Sequence, residues 1–194
     1  MSNRDHILSA IKASQPALRP LPILDYSVVP VMADLLTSFA HFVNMVGGQV
    51  RLLDDLSMLN EELEAEQKQG RLLINRIGDP AKMDEVSQNA VALEAVDRAY
   101  IKGSIGVAEN GAIWVNETAM GNRILPFICQ ELVILIEADK LVATMHDAYR
   151  EIQINQEGFG VFIAGPSKTA DIEQSLVIGA HGPVALTVLV LTHG

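Results

Sequence analysis

The sequence is short of cysteine, of basic charge and of long apolar runs, and each shortage excludes a class of function. Cys129 is the single cysteine in 194 residues. It forms no internal disulfide and no Cys-x-x-Cys metal or redox motif. By itself the chain cannot supply the ligands of an iron–sulfur cluster. Lys and Arg number 14 against 24 Asp and Glu, a net charge of −10. Such a chain repels a phosphate backbone and gains little from counterion release. Nucleic acid is therefore excluded as the main partner, and an anionic membrane surface is disfavoured for the same reason. The longest strongly apolar run, residues 183–191, falls far below the roughly 20 residues that span a bilayer. The N-terminus, Met1-Ser2-Asn3-Arg4-Asp5-His6, is polar and lacks an apolar signal core. These features predict a soluble cytoplasmic protein with no membrane span.

What is present is a globular composition, 49% hydrophobic and 20% charged. Residues 1–30 divide into a short amphipathic helix and a proline-rich segment. Ile7, Leu8 and Ile11 form the helix stripe behind a Ser2/Asn3 cap, expected to pack on the body or on a partner. Pro16, Pro20, Pro22 and Pro30 fix φ and remove donors, so that segment is expected to run extended. Residues 31–194 form the main domain, where helices and strands alternate. Met32, Leu35, Leu36, Phe39, Val43 and Val46 recur at helical spacing, and Gly47-Gly48 ends the helix. Leu56, Leu59 and Leu63 mark a second helix, closed by Gly70. Weaker helical spacing covers 80–88, with further helices expected over 141–152 and 170–178. Strands are expected at 49–53, 71–75, 99–103, 112–116, 131–137, 160–164 and 185–191. Near-continuous apolar strands between helices predict an α/β fold with a mainly parallel sheet covered on both faces. Ligands in such folds bind in the loops beyond the strands, which directs attention to the loops after Asn116 and Ala164.

Three segments carry candidate chemistry. In Gly106-Val107-Ala108-Glu109-Asn110-Gly111, Asn-Gly favours a type I′ hairpin turn. Glu109 is then either a solvated shoulder residue or a carboxylate projected into a cleft as nucleophile or general base. Residues Gly165-Pro166-Ser167-Lys168-Thr169-Ala170-Asp171-Ile172-Glu173 follow a strand and are expected to open a helix, capped by Ser167 or Thr169. The free N–H groups there suit an anion, and Lys168 is the only Lys or Arg after Arg150. Asp171 and Glu173 oppose that reading, and a plain capped helix with a solvated lysine stands equally. The Gly-x₄-Gly-Lys spacing of a phosphate loop is absent. In Gly179-Ala180-His181-Gly182-Pro183, His181 sits on a tight loop, where it is either exposed or paired with Asp171 as a carboxylate–imidazole couple. Arg123, near Pro126, is either a bidentate clamp for a substrate carboxylate or half of a surface ion pair. His6, His41, His146 and His193 show no metal-ligand spacing.

Taken together, Gly-Val-Ala-Glu-x-Gly at 106–111, Arg-x-x-Pro at 123–126, Gly-Pro-Ser-Lys-Thr-Ala-Asp-Ile-Glu at 165–173 and Gly-x-His-Gly-Pro at 179–183 resemble the LUD domain family. The similarity runs from about Val31 to the C-terminus. The resemblance implies a three-layer α/β sandwich related to the sugar-phosphate isomerase and CoA-transferase superfamily. It also implies a part in oxidising L-lactate to pyruvate beside partner proteins that carry iron–sulfur clusters, with no cofactor in this chain. On that view one cleft gathers Glu109, Asp171 and His181 as catalytic residues. Arg123, Ser167, Lys168 and Thr169 bind a small carboxylate there. A second expectation is a free-standing transferase or isomerase, because Ala108-Glu109-Asn110-Gly111 is similar to the Ser-Glu-Asn-Gly stretch of class I CoA transferases. A third is a scaffold without chemistry.

Overall fold

The computed structural model describes residues 2–20, 22, 34–78, 85–153, 158–169, 177–179 and 181–192. It divides into two compact units, Met1–Val31 and Met32–Gly194. In the first unit, α1 (Asn3–Ala13) starts from a capping box. The Ser2 hydroxyl accepts from the Asp5 N–H, and the Asp5 carboxylate accepts from the Ser2 N–H. Ile7, Leu8 and Ile11 are exposed. Pro16, Pro20 and Pro22 lie in irregular chain.

The second unit runs α2 (Leu35–Met45), β1 (Gln49–Leu53), α3 (Ser57–Lys68), β2 (Leu73–Asn75), α4 (Ala90–Leu93) and β3 (Arg98–Lys102). It continues through β4 (Ile105–Val107), β5 (Ala112–Asn116), α5 (Glu117–Met120), α6 (Leu125–Ile128) and β6 (Glu131–Glu137). Then come β7 (Leu141–Val142), α7 (Met145–Glu151), β8 (Gly160–Ile163), β9 (Lys168–Thr169), β10 (Val177–Ile178) and β11 (Ala185–Leu191).

Strands in the order β1-β11-β6-β3-β2 pair in parallel throughout. Alternate residues of these strands serve two cores. On one face, Tyr100, Val133, Leu135 and Leu189 pack with Leu59 and Leu63 of α3. On the other, Ile101, Leu132, Ile134 and Val188 pack with Phe39 and Val43 of α2 and with Ile113 and Val115 of β5. Burial on both faces explains the unbroken Leu132-Val133-Ile134-Leu135-Ile136 run. The expected α/β fold with a mainly parallel sheet is thus present.

The strand pattern did not announce a second sheet. Strands in the order β7-β4-β5-β8 form it, antiparallel except for β4 with β7. Its outer face packs Ile105, Val107 and Trp114 against Ala148 of α7. The hairpin that starts it is the Asn110-Gly111 segment. The turn is wider than the expected two-residue form: Val107 pairs with Ala112 across a four-residue loop. The Gly111 N–H donates to the Val107 carbonyl at 2.9 Å, with Gly111 itself at φ +70.

Other elements shift. The helix expected over 141–152 begins only at Met145, because Leu141–Val142 pairs with β4 and Thr144 supplies the cap. The segment expected to open a helix at 165–173 instead makes β9, whose Lys168 and Thr169 pair antiparallel with Ile178 and Val177. The end of the helix expected over 170–178 is therefore strand, and residues 170–176, with Asp171, lie outside the described set. Of the weak helix at 80–88, residues 79–84 lie outside it too, and 85–88 are irregular.

At the amino ends of β3 and β6, on the α3 face, charged groups close on one another. Arg98 meets Glu62, Glu66 and Glu131, Arg71 meets Glu66 and Glu131, and Arg51 meets Glu62. Burial disfavours the Arg98 charge, but hydrogen bonds to Tyr100 and Glu131 overcome it and keep the guanidinium charged.

Candidate functional site

A cavity of about 310 Å³ opens at the amino ends of β6 and β11. Leu132 and Leu186, the second residues of those strands, form part of its wall, together with Phe127 of α6 and Phe162 of β8. Phe162 is held by Trp114, with ring centroids 4.9 Å apart, and by Tyr149 at 5.6 Å. Among the described residues, three polar side chains line the cavity: Ser167, Lys168 and His181.

Two loops supply these residues, and backbone hydrogen bonds tie the loops together. The Ser167 N–H donates to the Pro183 carbonyl at 3.0 Å, and the Gly179 N–H donates to the Ser167 carbonyl at 3.0 Å. The Val184 N–H donates to the Gln130 carbonyl at 2.8 Å, which anchors the second loop beside β6. Gly182 passes close to Ser167: a Cβ there would lie 3.0 Å from the serine Cβ. The tight Gly-Pro loop read from the sequence therefore has a concrete role. It carries His181 to the same concavity as Ser167, with the imidazole exposed on its rim.

Lys168 has a second engagement. Its Nζ donates to the Val46 carbonyl at 2.5 Å, at the C-terminal turn of α2. A cation at that end complements the helix dipole and satisfies an orphan carbonyl. Gly47, at φ +92, makes room: a Cβ there would sit 3.1 Å from the lysine Nζ. Lys168 is thus both a cavity residue and a cap.

Two members of the wider cleft expected from the sequence are engaged elsewhere. Neither Glu109 nor Arg123 lines the cavity. Glu109 lies on the β4–β5 turn, and its Oε1 accepts from the Met145 N–H at 2.6 Å, the first residue of α7. A carboxylate at a helix start is a stable structural arrangement. Arg123 makes a two-pronged bond to Glu117, Nε to Oε1 at 2.7 Å and Nη2 to Oε2 at 3.0 Å, and stacks over the Phe159 ring at 4.8 Å. Hydrogen bonding to Arg123 holds the Glu117 carboxyl below its ordinary value. The guanidinium fork foreseen for a substrate carboxylate is taken by a neighbour six residues away. Asp171 lies outside the described residues, and Thr169 contributes backbone to β9.

Composition did not point to the cavity's aromatic walls. Phe127 directly follows the Arg123-Ile124-Leu125-Pro126 motif, and that adjacency was the available signal. Cys129, deeply buried behind α6, has its thiol pushed up to about 12 by burial, which makes it inert as a nucleophile. Among the described residues no group of three or more His, Cys, Asp or Glu side chains is arranged to hold a metal ion. No helix among them is long and apolar enough to cross a membrane.

The cavity offers a hydroxyl, an ammonium and an imidazole facing an apolar wall. Such a set suits a small molecule with one anionic end and a short apolar end, and an imidazole can accept a proton from it.

Comparison with known proteins bears on the origin of this arrangement. The chain is similar to a lactate utilization protein C of Anoxybacillus flavithermus, 36% identical over 104 residues, 52% of this chain and 47% of that protein. It is similar to another of Geobacillus thermodenitrificans, 28% identical over 160 residues, 75% of this chain and 63% of that one. The chain thus spans about half the length of the curated relatives it matches, and at most 63% of the length of these two. In fold it resembles the crystal structure of a duf162 family protein from Deinococcus radiodurans. The TM-score is 0.62 at 15% identity, over 84% of this chain and 99% of that one. The LUD domain model matches residues 7–191, from within α1 to the last residue of β11, and the chain belongs to the LUD domain family.

Proposed function

We propose that this protein takes part in lactate utilization as a subunit that binds a small 2-hydroxy carboxylate in the cavity of Ser167, Lys168 and His181. Its relatives carry the name lactate utilization protein C, which supports the role. The observation that carries the site is the tying of the 165–168 and 179–184 loops, which brings Ser167 and His181 to one concavity walled by Phe127 and Phe162. Ser167 and Lys168 meet the substrate carboxylate, and the apolar wall receives the methyl group. His181 accepts the hydroxyl proton.

Oxidation of L-lactate to pyruvate releases two electrons and two protons. One proton leaves through His181. The electrons require an acceptor, and a chain with one cysteine does not ligate an iron–sulfur cluster alone. In this proposal the C2–H bond breaks as the C2=O bond forms, and its hydrogen leaves with both electrons to a two-electron acceptor on the partner subunits, whose iron–sulfur clusters carry the electrons onward. The deciding experiment is His181→Ala in a strain that depends on this protein for growth on L-lactate. We expect growth to be abolished while the purified variant keeps its melting temperature. Wild-type growth of the variant would remove His181 from the mechanism. A covalent adduct at Glu109 after incubation with an acyl-CoA, seen by intact mass, would instead support transferase chemistry.

A further inference from the structure

A second cavity, about 230 Å³, lies at the other end of the parallel sheet. Lys102 and Glu137, the last residues of β3 and β6, line it together with Ser104, Asn116 and Lys140. Parallel sheets present ligands beyond the carboxyl ends of their strands, and this is such a place. The Ser167–His181 cavity sits at the amino ends instead, so the two concavities share no residue.

The charges around the second cavity are unequal in their commitments. Lys102 Nζ lies 2.6 Å from Glu137 Oε1, which satisfies that pair across the two strand ends. Lys140 meets its sequence neighbour Asp139 at 3.3 Å, and the Asp139 side chain is 70% exposed. An exposed pair of adjacent residues contributes little and yields readily to a better partner. As they stand the two ion pairs balance; once Asp139 yields, two lining lysines against one lining carboxylate leave +1 among the described residues, in a chain whose net charge is −10. Asn116 spends its Oδ1 on the Ala119 N–H at 2.9 Å, so its NH₂ is the group it has left to offer. The Ser104 hydroxyl donates to the Trp114 carbonyl at 3.3 Å, so Ser104 offers its oxygen as an acceptor, and Glu137 keeps a second oxygen as acceptor.

We infer that this carboxyl-end cavity is a second ligand site, specific for a small monocarboxylate that bears a hydroxyl. A single negative charge neutralises the lining, and a dianion would overshoot it. The carboxylate binds between the Lys140 ammonium and the Asn116 amide, displacing Asp139. The ligand hydroxyl donates to Glu137. The inference uses none of the residues of the proposed lactate site and stands or falls without it.

The test is a titration of the ¹⁵N-labelled full chain with glycolate, read by amide shifts, with sodium chloride at equal ionic strength as control. Saturable shifts at Gly103, Ser104 and Lys140 are expected, and Lys140→Gln is expected to weaken that affinity at least about tenfold with no change in melting temperature. Shifts at Ser167 and Gly182 report the other cavity, so failure of one site is distinguishable from failure of the other. Absence of saturation at 103–104 and 140, equal shifts with chloride, or an unchanged affinity in Lys140→Gln overturns the inference. Saturation by inorganic phosphate in preference to glycolate overturns the ligand class.

Discussion

Two polar regions lie at the amino end of the same parallel sheet, one closed and one open. On the α3 face, Arg51, Arg71 and Arg98 meet Glu62, Glu66 and Glu131, and every charge has an opposite partner. In the cavity between the two tied loops, Ser167 and His181 face an apolar wall. The contrast teaches how polar residues divide their work. Groups that satisfy one another across a packed face hold the fold, while groups held by their backbone toward a concavity remain available to a ligand. Lys168 straddles the division, lining the cavity while its ammonium donates to the Val46 carbonyl.

The largest stability effect is expected on the closed side. Arg98→Ala removes the arginine shared by three carboxylates, leaving Glu62 to Arg51 and both Glu66 and Glu131 to Arg71, and should cost roughly 2 kcal/mol, a fall of about 4–8 °C in melting temperature. Arg98→Lys should recover part of this, because the charge returns without the planar fork. A neutral outcome in both variants would mean that the network is ornamental.

Acid sharpens the same point. Burial raises the Glu131 carboxyl, but hydrogen bonds from Arg98 and Arg71 outweigh it and hold the group below its ordinary value of 4.5. A depressed carboxyl contributes stability above its unfolded value and loses it as pH falls through the folded one. Wild type should therefore lose stability as pH drops below about 4.5, and its advantage over Arg98→Ala should shrink. An advantage that persists at low pH would assign the arginine's role to packing.

Gly47→Ala is expected to cost about 1 kcal/mol, since alanine is strained at φ +92. The added methyl also crowds Lys168 Nζ. Amide shifts should therefore spread to residues 165–168, and shifts confined to 45–49 would uncouple the α2 end from the cavity. His181→Ala should move the melting temperature least of all, because the imidazole is exposed on the cavity rim. Its loss registers in growth on lactate.

Much of the fold was legible in one dimension. Period and length placed the helix of Phe39 and Val43, the helix of Leu59 and Leu63 and the strands at 49–53, 99–103, 131–137 and 185–191. Each of these buries a face whose pattern is written into neighbouring residues. The second sheet escaped because strands 112–116 and 160–164 look alike whether their partners are parallel or antiparallel, and partner choice is a long-range property. In the candidate site, the Gly-Ala-His-Gly-Pro loop was readable from its composition. The fates of Glu109 and Arg123 were not. Their hydrogen bonds to the Met145 N–H and to Glu117 depend on where α7 and α5 begin.

By itself, then, the sequence determined the α/β class, the apolar strands, the absence of cluster-ligating cysteines and the family motifs, because all of these follow from residue type and local spacing. The tertiary structure alone decided that Lys168 reaches α2 across 122 residues of chain, that Ser167 and His181 share a concavity, and that Lys102 and Lys140 line another at the opposite end. Those neighbours exist only once the strands have taken their order in the sheets. That order is set by the burial of whole faces, which no local window of sequence contains.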